Sequence, residues 1–102
     1  MKDIGAFRET YNNDKLPSIM AAIRPNPPEH KAKILAYLKR GKETGRATTR
    51  FSDKIGGVEM IPAICYTDDV YEWRSDTIYY YEKYNIELPK DFIEHVLKRT
   101  KR

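Results

Sequence analysis

Apolar residues recur along this chain with two different periods, and the change between them divides it into parts. Over residues 27–40, Ile34, Leu35 and Leu38 stand at i, i+1 and i+4, the stripe of a helix lying on a core. Asn26 is placed to cap that helix, Pro27 suits its first position, and Glu29 at the third can reach back as in a capping box. Lys31, Lys33, Lys39 and Arg40 fall on the polar side, and Gly41 is the expected stop. Before it, residues 1–25 read as an N-terminal arm of two short helical pieces. Asp3 leads the first, with Ile4, Phe7 and Tyr11; Pro17 leads the second, with Ile19, Met20 and Ile23. Residues 12–14 separate the pieces, and Pro25, Pro27 and Pro28 end the arm. Helices this short are marginal alone, so the arm is partly flexible unless its apolar residues pack on the domain, which their number favours.

From residue 42 the period shortens to two. Residues 46–52 are rich in Thr and alternate weakly, as in an exposed strand, and residues 53–57 supply a turn with Gly56 and Gly57. Residues 58–67 form a long apolar strand interrupted by Pro62, which places that strand at a sheet edge or bulges it there. Asp68 and Asp69 read as a two-residue hairpin loop, with Thr67 facing Val70, Tyr66 facing Tyr71 and Ile64 facing Trp73. Ser75 is then the cap of a helix whose positive end Asp76 complements. Thr77, Tyr80, Tyr81 and Tyr84 make its buried stripe, Ile78 lies at the margin, and Tyr79 is left over as the most exposed tyrosine. Asn85 ends that helix in a left-handed conformation, and Ile86 and Leu88 pack the connection. Pro89 opens a last helix with the stripe Phe92, Ile93, Val96 and Leu97, and residues 98–102 fray. The sum is a single α+β domain over residues 1–102: a three-stranded antiparallel meander with helices packed on one face, preceded by the short helical arm.

Composition narrows this picture little. With 102 residues there is room for one modest core, and 12% aromatics supply apolar area that the 40% hydrophobic content alone leaves short. Charge is more telling. Residues 31–54 hold eight basic side chains against two acidic, and residues 68–94 hold eight acidic against three basic. The acidic stretch contains Asp68, Asp69, Glu72 and Asp76, which with Tyr79 are the expected protein-contact surface. The basic stretch offers Lys39, Arg40, Lys42, Arg46, Arg50 and Lys54 as an alternative, nucleic-acid surface that would neutralise several phosphates.

Candidate chemistry is sparse. His30, His95 and Cys65 stand alone on different expected elements, so no metal or cofactor is expected. Cys65 allows no intramolecular disulfide and reads as a buried inert thiol; a Cys65–His95 nucleophile pair requires the fold to bring the two together. No apolar signal-like run follows Met1, and no run approaches the length of a membrane span. A soluble, cytoplasmic, non-catalytic protein is the expectation.

The C-terminal half also resembles a family of short bacterial proteins. Their pattern is a Thr-Asp-Gly-like turn, an aromatic-x-Trp strand, a Ser-Asp cap, a Tyr-Tyr helix and a Leu-Pro-x-x-Phe-x-x-His helix. It corresponds to Thr67 to Asp69, Tyr71 and Trp73, Ser75 and Asp76, Tyr79 and Tyr80, and Leu88, Pro89, Phe92 and His95. Asp69 departs from the usual Gly of the turn. Proteins of this size and style are similar to immunity proteins and mobile-element inhibitors, and the resemblance implies stoichiometric binding of a partner protein, a toxin or a defence component.

Overall fold

The computed structural model describes residues 2–57 and 60–100. It is an α+β arrangement of four helices and a four-stranded mixed sheet, with strand order β1-β4-β3-β2. The strands are β1 (Lys2–Asp3), β2 (Lys42–Ser52), β3 (Met60–Thr67) and β4 (Tyr71–Arg74). The helices are α1 (Arg8–Tyr11), α2 (Lys31–Lys39), α3 (Ser75–Tyr84) and α4 (Lys90–Thr100), with a 3-10 turn at Ile19–Ala21. The predicted meander is present as β2-β3-β4, but the predicted three-stranded sheet gains β1, which pairs parallel to β4. Lys2 N donates to Val70 O at 3.2 Å and Ile4 N to Glu72 O at 3.0 Å. Two residues carry no period, so this strand is invisible to pattern reading.

The core is organised around Trp73. Its indole Nε1 donates to Leu38 O at 3.0 Å, tying β4 to the end of α2. Phe92 of α4 meets the Trp73 ring at 5.8 Å and the Tyr71 ring at 5.1 Å, both edge-on. Trp73, Tyr80, Tyr81 and Phe92 are fully buried. Each contributes roughly 2–3 kcal/mol by burial, which holds helices of nine to eleven residues that would be marginal alone. Gly41 sits where the chain leaves α2, and a Cβ there would lie 2.6 Å from Trp73 Cζ2. Close approach to the indole, as well as the helix stop, demands glycine.

The stripes of α2 and α4 appear as expected: Ile34, Leu38, Phe92 and Val96 are buried, with Leu35 and Ile93 packed beside them. The start of α2 differs. It begins at Lys31 behind a left-handed His30 (φ 63°), with no side-chain cap, instead of at Pro27 behind Asn26. Pro28 pushes Pro27 before it out of the helical region, which keeps the helix from beginning at Pro27. Residues 98–100 continue α4, where fraying was expected; residues 101 and 102, like 58 and 59 of the expected third-quarter strand, lie outside the described residues.

The arm packs into the core through Ile4, Phe7, Ile19 and Ala22. Its two short pieces are held by Glu9, whose carboxylate accepts from Ser18 Oγ at 2.5 Å and Ile19 N at 2.8 Å. Asp3 belongs to β1, and the second piece begins at Ile19 behind a Ser18 cap, two positions after the Pro17 start expected for it.

The hairpin register also differs from the expected one. Thr67 faces Glu72, Tyr66 faces Trp73 and Cys65 faces Arg74, so four residues, 68–71, separate the last positions paired between β3 and β4. Asp68 Oδ1 accepts from Val70 N and Tyr71 N, and Asp69 takes φ 78°. A carboxylate closing the loop on two amides favours the four-residue form over the tight one.

Candidate functional site

Two buried carboxylates, both reached by side chains distant in sequence, fix the ends of the sheet. Asp53 follows β2. Its Oδ1 accepts from Ile55 N at 2.7 Å and Gly56 N at 3.2 Å, which shapes the turn. Its Oδ2 accepts from Tyr79 Oη at 2.5 Å and Tyr84 Oη at 2.7 Å, with Lys83 Nζ 3.9 Å away. Burial alone would raise this carboxyl, but the two phenols and two amides outweigh it and hold it well below the usual carboxylate range. Tyr80 reaches the same turn: its hydroxyl accepts from Lys54 N at 2.8 Å and lies 3.2 Å from Ser52 O. Tyr79 is therefore a half-buried anchor of the β2 turn and not an exposed contact residue. The helical period located its side of α3 correctly, but a turn from earlier in the chain covers that side.

Asp68 is the second. Its Oδ2 accepts from Tyr37 Oη at 2.5 Å and lies 2.7 Å from His95 Nε2 and 3.8 Å from Arg99 Nη1. Arg99 also donates to Asp68 O at 3.1 Å. Burial pushes the Asp68 carboxyl up, but the Tyr37 hydroxyl, the loop amides and His95 bring it down to about 2. An acid, an imidazole and a phenol are thus brought within hydrogen-bonding reach at one carboxylate. Cys65 lies elsewhere. It faces Arg74 and so emerges from the sheet face opposite Trp73 and Tyr66. It is exposed, contrary to the expected burial, and is not brought together with His95. Among the described residues no cluster of three or more metal-ligating side chains forms, and no helix is long and apolar enough to cross a membrane.

The expected acidic contact surface does not assemble. Asp68 and Asp76 are shielded, with side chains 7% and 4% exposed. Asp76 is held bidentately by Arg74 through Nε at 3.2 Å and Nη2 at 2.7 Å. Glu72 is half-buried and its carboxyl is raised, first by a hydrogen bond with Asp3 and then by burial. Only Asp69 is fully exposed, and it pairs with Lys42 at 3.4 Å. Acids adjacent in sequence were separated by the pleat and by their own partners.

The basic stretch is the part that stays at the surface. Residues 42–50 of β2 are all exposed. The strand lies at the end of the sheet order, so its outer edge faces no other strand among the described residues. Three of the six predicted cations are already paired: Lys39 with Glu82, Lys42 with Asp69 and Arg46 with Glu43. Arg40, Arg50 and Lys54 have no ion pair among the described residues. Arg50 and Lys54 line a polar recess of about 400 Å³ together with Arg74, whose guanidinium sits 3.9 Å over the Phe51 ring and 4.5 Å over that of Tyr11.

Pro62 explains the shape of this edge. It lies in the interior strand β3 and not at an edge, opposite Arg50, where β2 spends four steps against two on β3. Ser75 repairs the gap on the other side. Its hydroxyl donates to Pro62 O at 2.6 Å and accepts from Ile64 N at 3.1 Å. The helix cap position falls to Arg74, so Ser75 completes the sheet and does not cap α3 as expected.

Asp53, Tyr84, Arg74 and Ser75 are the positions that sequence reading missed or misassigned. The one signal available for Asp53 was its place two and three residues before Ile55 and Gly56, the spacing of a carboxylate-closed turn. A four-helix, mixed-sheet α+β class is as far as architecture leads. Comparison with family models, curated proteins and solved structures found no match to this chain.

Proposed function

We propose that this chain is a non-catalytic protein-binding domain that takes up an extended, acidic segment of a partner along the free edge of β2. The observation that carries the reading is that edge itself. Eleven residues of strand stand at the end of the sheet with nine of them exposed. An unpaired row of backbone donors and acceptors is a template for a further strand. Charge and irregular register are also how proteins guard an edge against pairing. Lys42, Arg46 and Arg50 against Glu43 give β2 a net positive charge, which opposes pairing with a second copy and favours a segment of opposite sign. A stoichiometric binder of this kind is the form in which an immunity-type inhibitor acts on a toxin or defence component. Nucleic acid is the lesser reading, because half of the cations expected to meet phosphates are committed to carboxylates of this chain.

The test is selection from a displayed library of random peptides of about ten residues, the length of the strand. Selected peptides should carry acidic residues and slow amide hydrogen exchange across β2, and Arg46→Glu with Arg50→Glu should weaken them about ten-fold or more. Protection confined to other segments removes the reading. So does a single-stranded oligonucleotide that binds through the same arginines where peptides do not.

A further inference from the structure

The polar recess of about 400 Å³ between α1 and the end of β2 carries a reading that needs no partner strand, since Lys54 and Arg74 lie outside β2. Thr10, Asn12, Arg50 and Ser52 line it with them. Arg74 is its fixed part. The side chain is 18% exposed, so it is reachable from solvent. Asp76 takes its Nε and Nη2, and the guanidinium lies over the rings of Phe51 at 3.9 Å and Tyr11 at 4.5 Å. Nη1 has no hydrogen bond among the described residues, and it is not one of the unbonded polar atoms sealed from solvent. A guanidinium already clamped by stacking and one carboxylate, with an edge left over, loses little freedom on taking an oxyanion.

The carboxylates of the same lining are committed. Asp76 is held by Arg74; Glu9 accepts from Ser18 Oγ at 2.5 Å through one oxygen and from Ile19 N at 2.8 Å through the other. Arg50 and Lys54 are exposed and have no ion pair among the described residues. Two uncommitted cations and a spare guanidinium edge therefore border one recess. A carboxylate or a phosphodiester brings a single negative charge to such a place. A phosphate monoester brings roughly two at neutral pH, spread over three strong acceptor oxygens, and arginine favours phosphate over most anions because its fork matches those oxygens.

We propose that this recess binds a phosphate monoester, whose oxygens meet Arg50, Lys54 and Nη1 of Arg74. The probes are phenyl phosphate, its methyl diester and benzoate, titrated into the whole chain at neutral pH and low salt. Binding is followed by the amide resonances of residues 9–12, 50–54 and 74–76 and by the Arg74 Nε–H. The monoester should shift these signals and bind about ten-fold more tightly than the other two, as one charge-assisted hydrogen bond gives. Added salt should weaken it. Arg50→Gln and Lys54→Gln change exposed side chains, so each should keep the melting temperature while weakening the monoester about three-fold, the scale of one exposed ion pair. Lys54→Gln should leave acidic peptides on β2 unaffected, so the failure of this site and the failure of that edge are told apart. A Gly-Ser peptide carrying one phosphoserine identifies the source: tighter binding than phenyl phosphate assigns the group to a partner's side chain, weaker binding to a small ester. Equal binding of monoester and diester, monoester binding that survives both substitutions, or shifts absent from these residues would overturn the proposal.

Discussion

Asp53 and Asp68 illustrate how much one side chain decides when it is buried and fully bonded. Each joins a loop to a helix that arrives later in the chain: Asp53 to Tyr79 and Tyr84 of α3, Asp68 to His95 of α4. Against the opposing effect of burial, Asp53 is held below its ordinary range by these phenols and its turn amides, and Asp68 by the Tyr37 hydroxyl, its loop amides and His95. A carboxyl depressed in the folded state adds stability above its unfolded pKa and loses it as pH falls towards the folded one. For Asp68 that window runs from 3.8 down to about 2, and the loss is about 2 kcal/mol. Urea midpoints measured across this range should therefore fall steeply, and Asp68→Asn should flatten the profile while lowering stability at neutral pH. None of this shows in the sequence, where Asp68 and Asp69 look equivalent. The pleat and the loop send one into the molecule and leave the other in water.

At the level of elements, the periodic helices were legible and the joins between elements were not. The stripes of α2 and α4 follow from spacing alone, and Asn85 ends α3 with φ 54°, as its type suggests. Ser75 shows the limit. Before a helix it reads as a cap, and a capping serine tolerates replacement by aspartate. In the fold it must both donate to Pro62 O and accept from Ile64 N. Aspartate can accept but cannot donate when ionised. Ser75→Asp should thus destabilise by about 2 kcal/mol, read from denaturant unfolding, where a pure capping role would leave stability nearly unchanged. Pro62 was rightly read as a disruption of the ladder, but the bulge it needs is supplied by β2, and the repair by a residue thirteen positions later.

For the whole molecule, the segregation of charge along the chain does not survive as two opposed surfaces. Part of the acidic block is tied up in contacts within the chain: Asp76 by Arg74, Asp68 by Tyr37 and His95, Glu82 by Lys39. The basic block stays outside because β2 ends the sheet and no described residue pairs with its outer edge. The like charge of Arg46 and Arg50 is expected to oppose the pairing of two such edges. Replacing both by Thr keeps strand-forming side chains but removes like charge. The double variant should self-associate at concentrations where the wild type does not, as seen by sedimentation.

Taken by itself, the sequence determined the α+β class, the meander of β2, β3 and β4, the buried stripes of α2 and α4, and the glycine that ends α2. These depend on periods of two and three to four residues and on backbone preferences, which act locally. Only the tertiary structure decided that β1 joins the sheet, that the hairpin slips to a longer loop, and that Tyr79 and the acids turn inward while Cys65 and β2 stay out. Several of those outcomes depend on partners far along the chain, as for Asp53 with Tyr79 and Tyr84, 26 and 31 residues away, or Lys2 with Tyr71. A buried charge goes wherever enough hydrogen-bond donors converge, and that convergence exists only once the chain has folded.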